Sequence, residues 1–367
     1  MERLRTALIG CGKVGAIHAE VLAALPESDF IAACDADAGR AEALAGRFGC
    51  RAYAGLDDLL SKSGAEAVVV ATPHPLHAEG AVRAARAGLH VLVEKPMAAN
   101  LADCDAMLDA ARSAGVTLGV VSQRRFSEPV ARMKEAIDAG KIGTPILGVF
   151  SMFSWRDQAY YQSDPWRGKW ASEGGGVLVN QSPHQLDLLQ WFMGEIDEIT
   201  GYWANLNHPY IEVEDTALAM IRFKSGGLGS IVTSLSQRPG IYTKVHIHGS
   251  NGASVGVETD RGATFIAGVS EIADPPLNDV WTIPSEEALL PQFQEEDRAR
   301  FREVKATTHY HSLQIQDFLQ AVRDDRPPLV TGEQGRLVVA MFTAIYRSNR
   351  ERRPIKFPLA AGSEAGE

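Results

Sequence analysis

A chain of 367 residues exceeds the length over which one core usually keeps growing, so two domains are expected. Its 45% hydrophobic and 22% charged content is ordinary for a protein that buries sizeable cores, and a net charge of −10 repels phosphate backbones, which argues against nucleic acid as a partner. The four cysteines (Cys11, Cys34, Cys50 and Cys104) fall in the first third without a CxxC pair, which suits neither a disulfide framework nor a thiolate metal site. No run approaches the roughly 18 apolar residues of a membrane helix. Met1 to Arg5 leads into a strand with no apolar signal core, so a cytoplasmic protein with no membrane partner is expected.

Apolar runs alternate with helical patterns through the first 121 residues. Strands are predicted at 6–9, 30–35, 51–53, 67–71, 90–94 and 117–121. Helices are predicted at 14–25, up to Gly49, at 57–61, 77–87 and 101–113. Short, wholly apolar strands separated by helices signify a parallel sheet covered on both faces, a doubly wound Rossmann-type domain over residues 1–122. The texture then changes. A helix at 129–139 and a strand at 146–153 lead into a loop rich in Trp, Tyr and Gly, and a helical stretch lies within 177–193. Strands follow at 198–205, 215–223, 228–236 and 242–248. The turns Lys224-Ser225-Gly226-Gly227 and Asn251-Gly252 suit antiparallel hairpins. Late helices are expected at 312–323 and 332–348, near the domain junction. Residues 123–359 thus read as an α+β domain with a large, mostly antiparallel open sheet that binds substrate and pairs subunits, and 360–367 as a flexible tail.

Gly10-Cys11-Gly12-Lys13-Val14-Gly15 is a GxGxxG between the first strand and the first helix. Gly10 permits the tight turn, Gly12 lets the backbone approach a pyrophosphate, and Gly15 lets helix and strand pack closely. The helix opening, at Lys13 and Val14, offers N–H groups and the positive end of a dipole to the phosphates. Asp35 ends the second strand, 20 residues after Gly15. A carboxylate there accepts hydrogen bonds from ribose hydroxyls and repels a 2′-phosphate, favouring NAD over NADP. The alternative reading of Asp35 is a helix N-cap.

The run Ala87-Gly88-Leu89-His90-Val91-Leu92-Val93-Glu94-Lys95-Pro96 ends a strand with Glu-Lys-Pro, and Gly174-Gly175-Gly176 precedes Asn180, His184 and Asp187. With the glycine fingerprint and Ala71-Thr72-Pro73, the chain resembles the Gfo/Idh/MocA oxidoreductases, the family of glucose–fructose oxidoreductase and inositol dehydrogenase, over nearly its whole length. The resemblance implies an NAD-dependent oxidation of a secondary alcohol on a sugar, polyol or sugar derivative. It adds Thr72, Pro73, His77, Glu94, Lys95 and Gln123 to the cofactor site, and implies a cis peptide before Pro96. Lys95, at the carboxyl end of a parallel strand, and His184 then handle the hydroxyl proton over the nicotinamide. Asn180 stands where many family members carry Asp. It can orient a hydroxyl but cannot serve as a base, which shifts the work to Lys95 and His184.

Ser182-Pro183-His184-Gln185 reads as an N-cap, a proline at the first helical position and a capping-box Gln, so the helix either starts at Pro183 or kinks there. Trp155, Tyr160, Tyr161, Trp166 and Trp170, with Arg156, Arg167 and Lys169, suit a sugar ring, with its apolar faces and polar edges. Trp155, Tyr161 and Arg124 join Lys95, Asn180 and His184 as candidate substrate contacts. The Trp166-Arg167 pair has three readings: sugar, cofactor or subunit contact. Tyr310 and His311 open a late helix within reach of the cleft. The pairs His246/His248 and His309/His311 have no evident acidic companions, so no metal is expected. A dimer or tetramer formed through the C-terminal sheet is expected. Two other functions fit the same motifs: a glycosidase that uses NAD for transient oxidation and elimination, and an NAD-binding regulator.

Overall fold

The computed structural model describes residues 3–260 and 272–360, so all but the first residue of the expected tail lies outside the described residues. The chain divides into two compact units. The first holds the segment up to Gln123 together with Ala306–Leu337, and the second holds the rest.

In the first unit, β1 (Leu4–Ile9), α1 (Lys13–Ala24), β2 (Ser28–Cys34), α2 (Ala38–Phe48), β3 (Arg51–Tyr53), α3 (Leu56–Lys62), β4 (Ala67–Val70), α4 (His77–Arg86), β5 (His90–Val93), α5 (Leu101–Ala114) and β6 (Leu118–Val120) follow in chain order. The strands form one sheet in the order β3-β2-β1-β4-β5-β6, and every pairing is parallel. Helices on both faces explain why β4 reads Ala-Val-Val-Val with all four residues buried. Left-handed Gly49 and Gly115 end α2 and α5, where a Cβ would be strained. The strand order reverses between β1 and β4, and the carboxyl ends of strands at such a reversal form the crevice where open α/β sheets take ligands.

The second unit contains α6 (Glu128–Asp138), β7 (Pro145–Phe153), α7 (Gln158–Gln162), α8 (Trp170–Glu173), α9 (Val177–Asn180), α10 (Pro183–Met193), β8 (Ile196–Ala204), β9 (Thr216–Phe223), β10 (Leu228–Ser234), β11 (Tyr242–Gly249), β12 (Ser254–Asp260), β13 (Leu277–Trp281) and α11 (Leu290–Glu303). Then come α12 (Ala306–Arg323), which belongs to the first unit, α13 (Gly332–Glu351), which begins there, and β14 (Ile355–Lys356). Eight strands form a sheet in the order β13-β12-β11-β7-β10-β9-β8-β14. It is antiparallel except for the parallel pair β7 and β10.

Alternation places Gly148, Phe150 and Met152 of β7 on the covered face. A Cβ at Gly148 would meet Leu189 and Met193 of α10 at 2.7 Å, so this glycine admits the helix. Within the first unit, Leu8, Leu22, Val69 and Leu92 pack with Ile315, Phe318 and Leu319 of α12 in one apolar core.

Both anticipated hairpin turns join their strands, β9 to β10 and β11 to β12. Six elements were not predicted as such: the aromatic loop coils into α7 and α8, and β12, β13, α11 and β14 extend the sheet and its cover. The stretch 177–193 is two helices, with Gln181 and Ser182 between them. Ser182 has helical backbone angles and caps nothing, so the expected capping box does not form. Its hydroxyl meets Thr233 Oγ1 at 3.1 Å, and Gln185 reaches Thr259 Oγ1 at 3.2 Å. Tertiary partners have taken both halves of the box.

Candidate active site

Each glycine of the fingerprint has a distinct physical reason. Gly10 has a φ of +98°, and a Cβ there would lie 2.6 Å from the Ala71 carbonyl. A Cβ on Gly15 would lie 1.9 Å from the Gly10 oxygen. A Cβ on Gly12 would meet nothing within 4 Å, so open space borders the turn there. The first turn of α1 carries no acidic side chain and Gly12 supplies no side-chain cap, so the helix turns the positive end of its dipole toward the glycine turn. Asp35 follows β2, accepting from the Cys11 N–H at 2.7 Å and the Asp37 N–H at 2.9 Å. It is not the cap of α2: Asp37 accepts from the Arg40 N–H and fills that role. Arg40 is exposed and pairs with Asp37.

Beyond β4, Gly10 abuts the backbone of Ala71 and Thr72, with Pro73 exposed next to them. The buried His77 lies between the Thr72 carbonyl, 2.9 Å from Nε2, and the Pro96 carbonyl, 3.0 Å from Nδ1. Burial lowers its pKa, and a neutral ring donates to one of the two carbonyls. His77 therefore bonds to one of these two crevice loops, with its other ring nitrogen facing the second. Thr72 Oγ1 and Gln123 Oε1 are buried without a protein partner among the described residues. The open space at Gly12, the acid-free opening turn of α1 and these two oxygens fit a dinucleotide.

Lys95 is the second residue after β5, and the Lys95–Pro96 peptide is cis, as the resemblance implied. Its backbone N–H donates to Glu94 Oε2 at 3.0 Å. The other carboxylate oxygen, Oε1, is 2.7 Å from Nε2 of His18, which is fully buried on α1. His311 of α12 meets the His18 ring edge-on, with centroids 5.4 Å apart, while its Nδ1 donates to the Thr307 carbonyl at 3.0 Å. Burial alone would raise the Glu94 carboxyl. The hydrogen bond and charge of His18, with His311 and Lys95 close by, outweigh burial and hold it below the usual carboxylate range. Burial and the neighbouring His18 push His311 down to about 4. Among the described residues, these three groups are the one His/Cys/Asp/Glu set whose ligand atoms, all within 4.8 Å of one another, could hold a metal. The direct His18–Glu94 bond already joins two of them as proton donor and acceptor.

Sequence reasoning passed over His18, although it lies one helical turn beyond Gly15 on the buried face of α1. It also gave Glu94 to the cofactor, whereas both carboxylate oxygens face protein N–H donors.

In the second unit, the glycine run is explained by close approach. A Cβ on Gly176 would sit 1.8 Å from the Glu214 carbonyl oxygen, and one on Gly175 would sit 2.2 Å from the Tyr346 hydroxyl. The buried Glu214 carboxylate accepts from the Gly176 and Leu178 N–H groups and from Tyr346, bracing the start of α9. Asn180 ends α9 and donates its amide to Glu173 and to the Tyr160 oxygen. His184 is the second residue of α10, beyond the helix break and 9% exposed. Asp187 grips Arg125 with both carboxylate oxygens, and that guanidinium lies over Trp191 at 4.6 Å.

The aromatic loop is tightly self-engaged. Arg167 donates to the Tyr160 hydroxyl and to Asp164, and covers the Trp166 ring at 4.4 Å. Trp155 lies against His208 with ring centroids 5.3 Å apart, and Tyr161 is buried with its hydroxyl unpartnered among the described residues. Arg124 is not an open cation: it donates to Asp260 at 2.7 Å and to the Thr259 carbonyl. The acidic companions not foreseen for His246 also exist. Asp279 of β13 lies 2.9 Å from its Nε2, and Lys244 bridges Asp279 and Glu258.

Two family models match the chain: the oxidoreductase family with an NAD-binding Rossmann fold over residues 4–122, and the GFO/IDH/MocA C-terminal domain over residues 130–255. The scyllo-inositol 2-dehydrogenase (NAD(+)) of Bacillus subtilis is 27% identical over 97% of this chain and 96% of that one. An inositol 2-dehydrogenase of Rubrobacter xylanophilus is 30% identical over 76% and 78%. The solved structure of the WlbA dehydrogenase from Bordetella pertussis, in complex with NADH and UDP-GlcNAcA, matches with a TM-score of 0.82 at 30% identity, covering 98% of this chain and 100% of that one. With the fingerprint, the Glu-Lys-Pro turn and both domain matches in place, the chain belongs to the Gfo/Idh/MocA family of oxidoreductases.

Proposed function

We propose that the protein is an NAD-dependent dehydrogenase that moves a hydride between a secondary alcohol of a sugar, polyol or sugar derivative and nicotinamide, with Lys95 and His184 as its proton-handling residues. The observation that carries this reading is the placement of Lys95. It lies two residues past the end of β5, on the carboxyl side of the sheet that also carries the glycine turn and Asp35, and its backbone N–H is held by Glu94. Relatives named as inositol dehydrogenases, and a neighbour bound to NADH and a sugar nucleotide, support the substrate class.

When bound, nicotinamide supplies the hydride acceptor. As the C–H hydride leaves, the hydroxyl becomes a carbonyl and sheds a proton, which Lys95 or His184 takes. Asn180, whose amide donates to Glu173 and to the Tyr160 oxygen, is placed by these bonds to orient a substrate hydroxyl. The opening turn of α1, at Lys13 and Val14, takes the pyrophosphate at its positive dipole end, and Asp35 takes the ribose hydroxyls, favouring NAD over NADP. Trp155 offers aromatic surface to the ring of the substrate, and the buried Tyr161 offers its hydroxyl, unpartnered among the described residues.

The test is stoichiometric. Incubation with NAD and a panel of polyols, aldoses and uronic acids should yield net NADH, and Lys95→Ala should lower kcat/KM by roughly 10²–10⁴-fold with NADH binding nearly unchanged. Glycoside cleavage without net NADH would point instead to transient oxidation and elimination. Cofactor binding with no turnover on any substrate would point to a regulator.

The open face of the second unit's sheet carries Tyr202, Leu218, Met220 and Leu228, with Met220 66% exposed and Tyr202 63%. An apolar sheet face of this kind supports a homodimer or homotetramer formed through it. Light scattering that returned a monomer would refute that assembly.

A further inference from the structure

His18 sits on the helix whose opening turn is shaped for pyrophosphate, and its side chain ends on the residue next to Lys95. The spacing makes this possible: Gly15, His18 and Leu22 share the buried face of α1, the face turned toward the sheet. The Glu94 carboxylate is fully engaged, with one oxygen on the His18 ring and the other on the Lys95 N–H. The titratable groups facing it are His18 from α1, His77 from α4, His311 from α12 and its own neighbour Lys95. A buried carboxylate tied on both sides is a fixed negative charge on a fixed scaffold.

We propose that His18 is a positioning residue for the reaction. Through the Glu94 carboxylate it holds the Lys95 backbone in place and keeps a negative charge next to the Lys95 amine, with His311 closing the same cluster from α12. This inference rests on the reading of Lys95 as the proton-handling lysine. It adds that the helix seating the cofactor phosphates also sets the proton affinity of the group beyond the nicotinamide. The physical chain is short. Without the His18 donor, the buried Glu94 side chain either turns away or takes up a proton. Lys95 then loses both an anchor and a favourable charge, so its ammonium form is less favoured.

The test uses the full chain. Lysines are reductively methylated with ¹³C-formaldehyde, the Lys95 resonance is identified by its absence in Lys95→Arg, and its titration is followed by NMR. His18→Phe keeps the ring volume and removes the donor, and should lower the Lys95 midpoint by about one unit. The same variant, unmethylated, should lose roughly tenfold in kcat with KM changed by less than about threefold, and the pH profile of kcat should move with the midpoint. His18→Gln, which places an N–H near the original Nε2, should restore most of both. Glu94→Gln should reproduce the His18→Phe shift.

A Lys95 midpoint unmoved in a cooperatively melting His18→Phe protein would overturn the proposal. Should that variant fail to fold, an unmoved midpoint in Glu94→Gln would do the same. If the midpoint shifts as expected but wild type forms no NADH from any substrate, the dehydrogenase reading fails, and what stands is only the hold of His18 and Glu94 on Lys95. If turnover is present but the midpoint and pH profile are indifferent to His18, the positioning role alone fails.

Discussion

Asn180 donates its side-chain amide to the buried carboxylate of Glu173, a residue seven positions earlier that also accepts the Gly168 N–H. This pairing supplies a physical reason for an amide at 180. An aspartate there would press a second negative charge against Glu173 at a site with little water to screen it.

Asn180→Asp should therefore create a pair of carboxylates, one of whose folded-state pKa values is raised above its unfolded value. Stability from that group is present at low pH and lost as pH rises through the raised pKa. Thermal melts should show the variant close to wild type near pH 4 and destabilised by about 1–3 kcal/mol at pH 8. The double variant with Glu173→Gln should regain most of the loss. Equal stability of wild type and Asn180→Asp at pH 8 would remove this account.

Asp35 is held by two backbone N–H groups at the end of β2, so its charge and its position can be separated by substitution. Asp35→Asn retains an acceptor and removes the charge that repels a 2′-phosphate. The ratio of kcat/KM for NAD over NADP should fall by roughly tenfold or more, a change of about 1.4 kcal/mol in discrimination. Steady-state rates with each cofactor measure it directly. An unchanged ratio would mean that selectivity resides elsewhere.

Glu214 braces the glycine run from a fully buried position, and burial pushes its carboxyl up to about 7, although Leu178, Gly176 and Tyr346 donate to it. A carboxyl raised in the folded state binds more protons there than in the unfolded chain. Its contribution is present below an unfolded value near 4.5 and lost as pH rises through about 7. Wild type should thus lose up to about 3 kcal/mol relative to Glu214→Gln between pH 5 and pH 8. Denaturant melts at the two pH values should show a flatter dependence in the variant.

The parallel sheet was legible because its strands are wholly apolar and bounded by glycines, a pattern that leaves few alternatives. The glycine fingerprint and Lys95 were legible for the same reason: each motif occupies a few consecutive residues whose geometry is local. His18, Glu173 and Glu214 were not, because their roles are defined by partners far along the chain. His18 is identified by Glu94, 76 residues away, and Glu214 by Gly176, 38 residues away. The helix at 182–185 shows the opposite failure. A correct local signal for a capping box was overridden when Thr233 and Thr259 captured its side chains. Arg124 looked like a substrate cation because Asp260, which neutralises it, is 136 residues distant.

The first and last glycines of the fingerprint lock one another, since the Gly10 oxygen occupies the space a Gly15 side chain would need. A loop of three glycines might be pictured as slack, yet this one is wedged between the start of its own helix and the Ala71 backbone. The incoming dinucleotide meets a seat whose shape exists before it arrives, so little backbone entropy is lost on docking. Even Gly15→Ala, a single added methyl, would force the turn apart at its hinge and loosen the grip on the cofactor without touching it.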